Sequence, residues 1–416
     1  MNSAQQTRRL FNFALRGVSL SSKFALLFAL AKFLEPVDVG LYGLLTATIS
    51  YTLYALGFDF YTYSTRELIV SDRNQWSALL RDQAAFFGIV YTVVLPMCLL
   101  VFWFGFLPWA LAAWFVPLLV LEHMGQELNR LLVAMSEPLW ANLVLFFRTG
   151  AWAIVVVILM WIHPELRALV TALAGWVAGS LVACLVAVSR LRQLDCHALS
   201  RPIDWGWVKR GVRVAVPLLV ATLAARGLYT FDRYLMEGIG GLEALGAYVF
   251  FVGISNSIAG FLDAGVFTFL YPALILAADK QDKIAYQLGM RRLAIQTLSV
   301  TGVLALSAIV FAHPLVDWLQ RPVYEQHFGL LYWTVISAVI FAAGMIPHYG
   351  LYSLRLDVPI IISHIAGLVV FFVAVSLLHH PMAENAVPVA VAIAFLLILL
   401  VKSYAFRRSR FLVKNQ

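Results

Sequence analysis

Long apolar stretches alternate with short polar breaks along the whole chain. Each stretch holds about 20 mostly apolar residues, the length that a helix needs to cross the hydrocarbon core of a bilayer. The stretches are Leu10–Phe33, Val39–Tyr61, Ala84–Phe106, Trp109–Val133, Leu139–Trp161, Ala168–Ser189, Val214–Met236, Leu242–Phe267, Leu293–Ala312, Phe328–Leu351, Val358–Leu378 and Ala386–Tyr404. They lack the two-residue alternation of barrel strands. The pattern therefore predicts an all-α integral membrane protein with about twelve transmembrane helices.

The composition supports this class and excludes others. Hydrophobic residues make up 62% of the 416 residues and charged residues only 12%, whereas a soluble domain has about 25% charged residues. A soluble globular protein and a disordered chain are both excluded. No nucleotide-binding, hydrolase or metal-ligand motif is found in the sequence, so we expect no enzyme activity, no cofactor and no metal site.

The distribution of the basic residues predicts the orientation in the membrane. Of the 30 Lys and Arg residues, only Arg167 and Arg321 fall in loops on the side opposite the termini. Most of the others, Lys402 among them, are assigned to the termini and to the loops on their side. Positive charge accumulates on the cytoplasmic side of membrane proteins, so both termini are predicted to be cytoplasmic. The net charge of +8 then reflects topology, and no nucleic-acid partner is expected.

The two halves of the chain share short motifs at a shift of about half its length. Gly-Leu-Tyr at 40–42 opens the second apolar stretch, and Gly-Ala-Tyr at 246–248 opens the eighth. Arg16 and Arg226, each followed by Gly, correspond one stretch earlier. We predict two pseudo-symmetric six-helix lobes, residues 1–200 and 201–416, around a central cavity and related by an axis along the membrane normal. Chance similarity among apolar helices is the alternative.

Basic side chains inside the apolar stretches are candidates for substrate binding. They form two stripes at helical spacing that match between the halves: Asn12, Arg16, Ser19 and Lys23, and Thr222, Arg226, Tyr229 and Arg233. Arg148 adds a further cation. Charges in the middle of a bilayer are costly and usually face a cavity or a partner. We predict that Arg16, Lys23, Arg148, Arg226 and Arg233 bind substrate; snorkelling or helix pairing is the alternative.

Acidic residues in the apolar stretches have two interpretations. Asp59, Glu122, Asp232 and Asp263 are the candidates for coupling transport to a proton or Na⁺ gradient. The alternative is that these carboxylates only neutralise nearby arginines. The sequence does not choose between the two roles.

Two segments resemble a known family. Residues 33–42 (FLEPVDVGLY) are similar to the first loop of bacterial polysaccharide flippases of the O-antigen and exopolysaccharide type. Residues 231–236 (FDRYLM), followed by the tripeptide at 246–248, resemble the junction of their seventh and eighth spans. These flippases share a superfamily with multidrug exporters.

The resemblance implies a function and partners. It implies translocation of an undecaprenyl-diphosphate-linked oligosaccharide across the bacterial inner membrane by alternating access, with the cations contacting the diphosphate. A proton or Na⁺, membrane lipid, a polysaccharide polymerase and chain-length proteins are the other implied partners. Two alternatives stay open: a multidrug or organic-cation antiporter of the same superfamily, and a non-transporting scaffold of a polysaccharide-assembly complex. The glycan, the coupling ion and the oligomeric state are not predicted.

Overall fold

A computed structural model describes residues 3–191 and 202–412, and every regular element in these ranges is helical. The predicted all-α class is confirmed. The α-helices are α1 (Ser3–Phe33), α2 (Pro36–Gly57), α3 (Tyr61–Val70), α4 (Arg73–Cys98), α5 (Leu100–Trp103), α6 (Ala112–Ala134), α7 (Pro138–Phe146), α8 (Trp152–Ile162), α9 (Leu169–Leu191), α10 (Trp205–Leu262), α11 (Thr268–Asp279), α12 (Lys283–Leu319), α13 (Pro322–Gln326), α14 (Gly329–Ser353), α15 (Asp357–Met382) and α16 (Ala386–Leu412). Two π-helical segments, Phe147–Ala151 and Asp263–Phe267, join α7 to α8 and α10 to α11.

Most of the predicted spans correspond to helical stretches that are long and apolar enough to cross a membrane. Within the described ranges there are eight such stretches, and two of them, Trp205–Asp279 and Asp357–Ser409, each contain two predicted spans. The predicted spans outside these stretches correspond to α1 and α6. Both are helical, but α1 carries Lys23 and α6 carries Glu122 in the middle of the helix.

Proline and glycine set some helix ends but not all. Pro36 and Pro138 each begin a helix, where the missing N–H of proline has no bond to lose. The predicted span Leu293–Ala312 stops too early, because α12 continues through Pro314 to Leu319. Neighbouring helices in a membrane bundle can satisfy the carbonyl that an internal proline frees. The break within α10 falls at Gly241, whose φ of 78° is one that glycine adopts readily.

Residue contacts divide the chain into two compact units. Unit 1 takes in the described residues of Met1–Leu34 and Leu44–Leu223, and unit 2 takes in Glu35–Gly43 and those of Ala224–Gln416. Helices α2 and α10 each contribute to both units. In unit 1, α6 packs against α9, and α1 packs against α7 and α8. In unit 2, α16 packs against α14 and α15.

The two copies of the repeated Gly-x-Tyr motif meet in unit 2. A Cβ on Gly40 would lie 2.5 Å from the carbonyl oxygen of Leu242, and one on Gly246 would overlap the carbonyl oxygen of Pro36. The start of α2 therefore crosses the second part of α10 with backbone against backbone. Small residues permit this close approach of membrane helices, which gives the motif a packing role in both halves.

Replacing Gly246 with Ala is expected to destabilise the protein. The added methyl would meet backbone of Pro36, which cannot rotate away, and overpacking of this kind costs about 1–3 kcal/mol. Thermal unfolding of the detergent-solubilised protein measures the effect as a lower midpoint. Gly302→Ala in α12 is the control, because nothing lies within 4 Å of the position that its Cβ would occupy. Equal midpoints for the two variants would contradict the close crossing.

Candidate functional site

The first polar cluster, in unit 1, is built around Glu122 of α6. Its carboxylate accepts hydrogen bonds from Trp176 Nε1 at 2.7 Å and from Ser180 Oγ at 2.8 Å. The spacing of four residues between Trp176 and Ser180 puts both donors on one face of α9. The second carboxylate oxygen lies 3.6 Å from Arg148 Nε. Glu122 is thus a buried acceptor that joins three segments of unit 1.

Arg148 and Lys23 complete this cluster. Arg148 lies in the first π-helical segment, close to Gly125, and its Nε and Nη1 atoms are buried and find no hydrogen-bond acceptor among the described residues. Lys23 of α1 is exposed, and its charge interacts with those of Arg148 and Glu122. The structure therefore brings together three of the predicted residues, with two cations for one anion. Arg16 lies on the same helix, but its side chain is outside the described part of the chain.

Replacing Glu122 with Gln is expected to lower the stability of the protein. Arg148 would keep its buried charge and lose its ion pair, and breaking a buried pair by removing one partner costs about 3–5 kcal/mol. Thermal unfolding of the purified protein measures the loss. The double variant Glu122→Gln with Arg148→Met should recover most of it, because no buried charge then remains unpaired. A double variant as unstable as the single one would contradict this role for the pair.

The second polar cluster, in unit 2, is built around Asp232 of α10. Its carboxylate accepts hydrogen bonds from Tyr248 Oη at 2.9 Å and from the Arg233 backbone N–H at 2.8 Å, and it pairs with Arg233 Nη1 at 3.0 Å. The Arg233 guanidinium also donates to the carbonyl oxygen of Tyr229. Asp232 is only 3% exposed. Arg233 is therefore engaged with protein groups, while Tyr248 gives the repeated tripeptide a polar contact.

A small cavity adjoins Asp232. Its volume is about 50 Å³, which is enough for a water molecule or a small cation. The polar side chains that line it are Tyr229, Asp232, Tyr248, Ser255, Asn256, Thr334 and Ser337. They come from α10 and α14, and α16 supplies apolar wall at Pro388, Val391 and Phe395. A carboxylate beside hydroxyl and amide oxygens is a donor set that suits a hard cation or a proton.

Three other predicted residues lie outside these contacts. Arg226 is exposed on α10. Asp263 is exposed at the start of the second π-helical segment and does not line the cavity. Asp59 is buried in a turn beyond the end of α2, with a φ of 48°. The predicted span that contained Asp59 thus ends earlier, at Gly57, because the chain turns before α3 begins.

Unit 1 also holds a larger cleft that the sequence did not reveal. Its volume is about 400 Å³, and it lies among α3, α4 and α6. Glu127 accepts a hydrogen bond from Gln83 Nε2 at 3.0 Å and forms an ion pair with Arg130. Tyr91 Oη lies 2.7 Å from His123 Nδ1 on the same wall. The acid of this cleft is therefore already satisfied by protein donors.

Lys402, which the sequence assigns to the terminus and loops on the cytoplasmic side, is buried among helices of unit 2. Lys402 lies inside α16, is 2% exposed, and has its Nζ 3.3 Å from His348 Nδ1 and 3.2 Å from His364 Nε2. The count of basic residues in loops did not predict the burial of Lys402, because this residue follows a long apolar run near the C-terminal end of the sequence. The apolar residues on both sides of it were the available signal.

The possible metal ligands of the described residues are their His, Cys, Asp and Glu side chains. Within residues 3–191 and 202–412, no group of three or more His, Cys, Asp or Glu side chains is arranged to hold a metal ion.

Comparisons with known proteins identify the fold. No family model matches the chain, and no curated protein matches its sequence. The inward-facing conformation of a multidrug resistance MATE family transporter of the MOP superfamily matches over 97% of this chain and 99% of that chain, with a TM-score of 0.78 and 13% identity. The outward-facing conformation of a multidrug resistance MATE family transporter of the MOP superfamily covers 97% and 96%, with a TM-score of 0.58 and 14% identity.

A third match is a MATE transporter from Vibrio cholerae, with 98% of each chain covered, a TM-score of 0.58 and 11% identity. All three are transporters, and similarity at such low identity shows the fold. The predicted fold class is confirmed by these matches: the chain is a multi-pass membrane protein with the fold of the MATE transporters of the MOP superfamily.

Proposed function

We propose that the protein is a flippase that moves an oligosaccharide linked to undecaprenyl diphosphate across the bacterial inner membrane by alternating access. The observation that carries the proposal is the exposed cation in each unit, Lys23 on α1 and Arg226 on α10. Both lie in predicted membrane spans and belong to the two matched stripes, in which Lys23 corresponds to Arg233 and Arg226 corresponds to Arg16. A diphosphate needs several Lys or Arg side chains in a site of low dielectric constant.

The other predicted cations have different surroundings. Arg148 pairs with Glu122, and Arg233 pairs with Asp232. In this proposal these two arginines set the positive potential around the substrate, while Lys23 and Arg226 contact its phosphates. Arg16 keeps its predicted role as a further contact. Both termini are cytoplasmic, and membrane lipid, a polysaccharide polymerase and chain-length proteins are the proposed partners.

We infer that Asp232 is the coupling group of this transporter. Its carboxylate adjoins a cavity that is lined in part by hydroxyl and amide side chains and is large enough for a small cation, whereas Glu122 is saturated by Trp176, Ser180 and Arg148. Glu122 then acts mainly as the counter-ion of Arg148. Binding of a proton or Na⁺ at Asp232 would weaken its pairing with Arg233 and free that guanidinium.

An organic-cation antiporter of the same superfamily is the second candidate, favoured by the multidrug transporters among the structures with this fold. The two candidate functions require substrates of opposite charge: an anionic diphosphate for the flippase and an organic cation for the antiporter. The cluster around Lys23 carries two cations and one acid, which favours an anionic substrate.

A bacterial strain that lacks the gene provides the test. The flippase proposal expects lipid-linked repeat units to accumulate and surface polymer to disappear, with both restored by the intact gene. Normal polymer together with increased sensitivity to cationic drugs would overturn it in favour of the antiporter. Lost polymer without accumulated lipid-linked units would favour the scaffold.

A further inference from the structure

Three basic side chains meet in unit 2, away from the Asp232 cavity. Lys402 of α16 has its Nζ 3.3 Å from Nδ1 of His348 on α14 and 3.2 Å from Nε2 of His364 on α15. Lys402 is 2% exposed. The three residues, called here the basic trio, lie towards the end of unit 2 at which α14 and α16 end and α15 begins.

When Lys402 is protonated, the hydrogen bonds within the trio determine which imidazole nitrogens carry the other protons. A protonated amine has three donors and no acceptor, so the imidazole nitrogens that face it must be unprotonated acceptors. His348 then carries its proton on Nε2, and His364 carries its own on Nδ1. The Nδ1 atom of His364 is buried and has no hydrogen-bond partner among the described residues. In this arrangement the trio holds one positive charge.

Within the described residues, Lys402 forms no ion pair with a carboxylate, and its side-chain contacts are those to the two imidazoles. On α14, the rings of Tyr349 and Tyr352 lie 5.5 Å and 6.4 Å from that of His348. Asp263 and Tyr271 lie close enough to Tyr349 to interact with it electrostatically. Tyr286 of α12 donates a hydrogen bond to the carbonyl oxygen of Gly350. The remaining ionisable groups near these helix ends are exposed: Asp357, Arg407 and Arg408.

A second positive charge on the trio is strongly disfavoured. Protonating either imidazole would remove its acceptor atom and place two cations within 3.3 Å of each other in a membrane interior, where like charges repel strongly. Losing the single proton instead leaves a neutral amine, which can accept from one imidazole and donate to the other. The trio can therefore exist with zero or one positive charge.

We propose that Lys402, His348 and His364 together form a binding site for one proton. Each member comes from a different helix, so gain or loss of the proton rearranges the hydrogen bonds that join α14, α15 and α16. Helices α14 and α16 also supply part of the wall of the Asp232 cavity. The trio thus links the proton concentration to the shape of that cavity.

This role in coupling rests on the proposed function, whereas proton binding itself does not. With cytoplasmic termini, the trio exchanges its proton with the cytoplasmic side. It is then the group through which cytoplasmic pH acts on the transport cycle, in addition to the ion that Asp232 binds.

Nitrogen-15 NMR of the full-length protein with labelled histidine, reconstituted in nanodiscs, tests the site. His348→Gln and His364→Gln assign the two signals. We expect both histidines to respond to pH in one shared transition, and each signal to move when the other histidine is replaced. Lys402→Met should abolish the shared transition, while His379→Gln, which removes a half-buried histidine outside the trio, should leave it unchanged.

Other outcomes of this experiment are also decisive. Two independent transitions that Lys402→Met does not alter would overturn the proposal. If Lys402→Met does not fold, Lys402→Arg provides the same test, because arginine keeps its proton at all accessible pH values. The shared transition should be lost in that variant too, and its survival would overturn the site. A shared transition in a protein that transports no glycolipid would support the site and count against the proposed function.

Discussion

Replacing Lys23 and Arg226 together with Gln is expected to abolish export of the lipid-linked oligosaccharide. Each side chain supplies a charge-assisted hydrogen bond to a phosphate, worth about 1.5–3 kcal/mol, so losing both lowers transport about 10²–10⁴-fold. The fold should survive, because both residues are exposed. The measurement is the amount of surface polymer and of lipid-linked repeat units in a gene-deletion strain that carries the variant.

Two controls accompany this double variant. Lys32→Gln removes a cation in the last turn of α1, where a long basic side chain can reach the membrane surface, and it should leave polymer output unchanged. Immunoblotting of the membrane fraction establishes that the double variant is present in normal amount. Normal polymer output from a correctly inserted double variant would refute the assignment of these two cations to the substrate.

The second large effect is expected from Asp232→Asn. An amide keeps the size of the carboxylate, and its single oxygen can accept from Tyr248 or from the Arg233 backbone, which bond different oxygens of Asp232. It cannot bind a proton or balance the charge of Arg233. We expect transport driven by an imposed proton or Na⁺ gradient in proteoliposomes to fall at least about tenfold, since one lost charge-assisted interaction amounts to about 1.5–3 kcal/mol.

Asp263→Asn is the matched control for this variant. Asp263 was predicted from the sequence as a coupling residue, but it is exposed and does not line the cavity. Its replacement should leave gradient-driven transport within about twofold of the unchanged protein, as is usual for a surface substitution. If Asp263→Asn loses coupling and Asp232→Asn retains it, the coupling group is at the π-helical segment and the cavity is not the ion site.

The helices could be predicted from the sequence because a membrane span needs a long apolar run, and these runs are visible without any tertiary information. Their ends could not. Helix α12 begins at Lys283, ten residues before the predicted apolar start at Leu293, because a helix that leaves the hydrocarbon region can continue as polar turns. Pro314 does not end α12 for a related reason: the effect of an internal proline depends on which neighbouring groups bond to the carbonyl that it frees.

The candidate site was predictable in part. Glu122 and Arg148 could be singled out because a charge in an apolar run is rare, but their pairing depends on how α6 meets the first π-helical segment. Trp176 and Ser180 gave no signal, since tryptophan and serine are common in membrane helices. The partners of Lys402 lie 38 and 54 residues earlier in the chain, a separation that no local pattern reveals.

The sharing of α2 and α10 between the units has a consequence for biosynthesis. Unit 1 includes Trp207 and Gly211, which pack against Phe60, so unit 1 cannot be completed until α10 has been translated. Conversely, the start of α2 is synthesised early but belongs to unit 2. The contact between Pro36 and Gly246 can form only after Gly246 has been synthesised. Neither unit is therefore encoded by one continuous segment that could fold before the rest of the chain is synthesised. Separately expressed halves, divided between the sixth and seventh spans, would each lack a segment of their own core and would fold only in each other's presence.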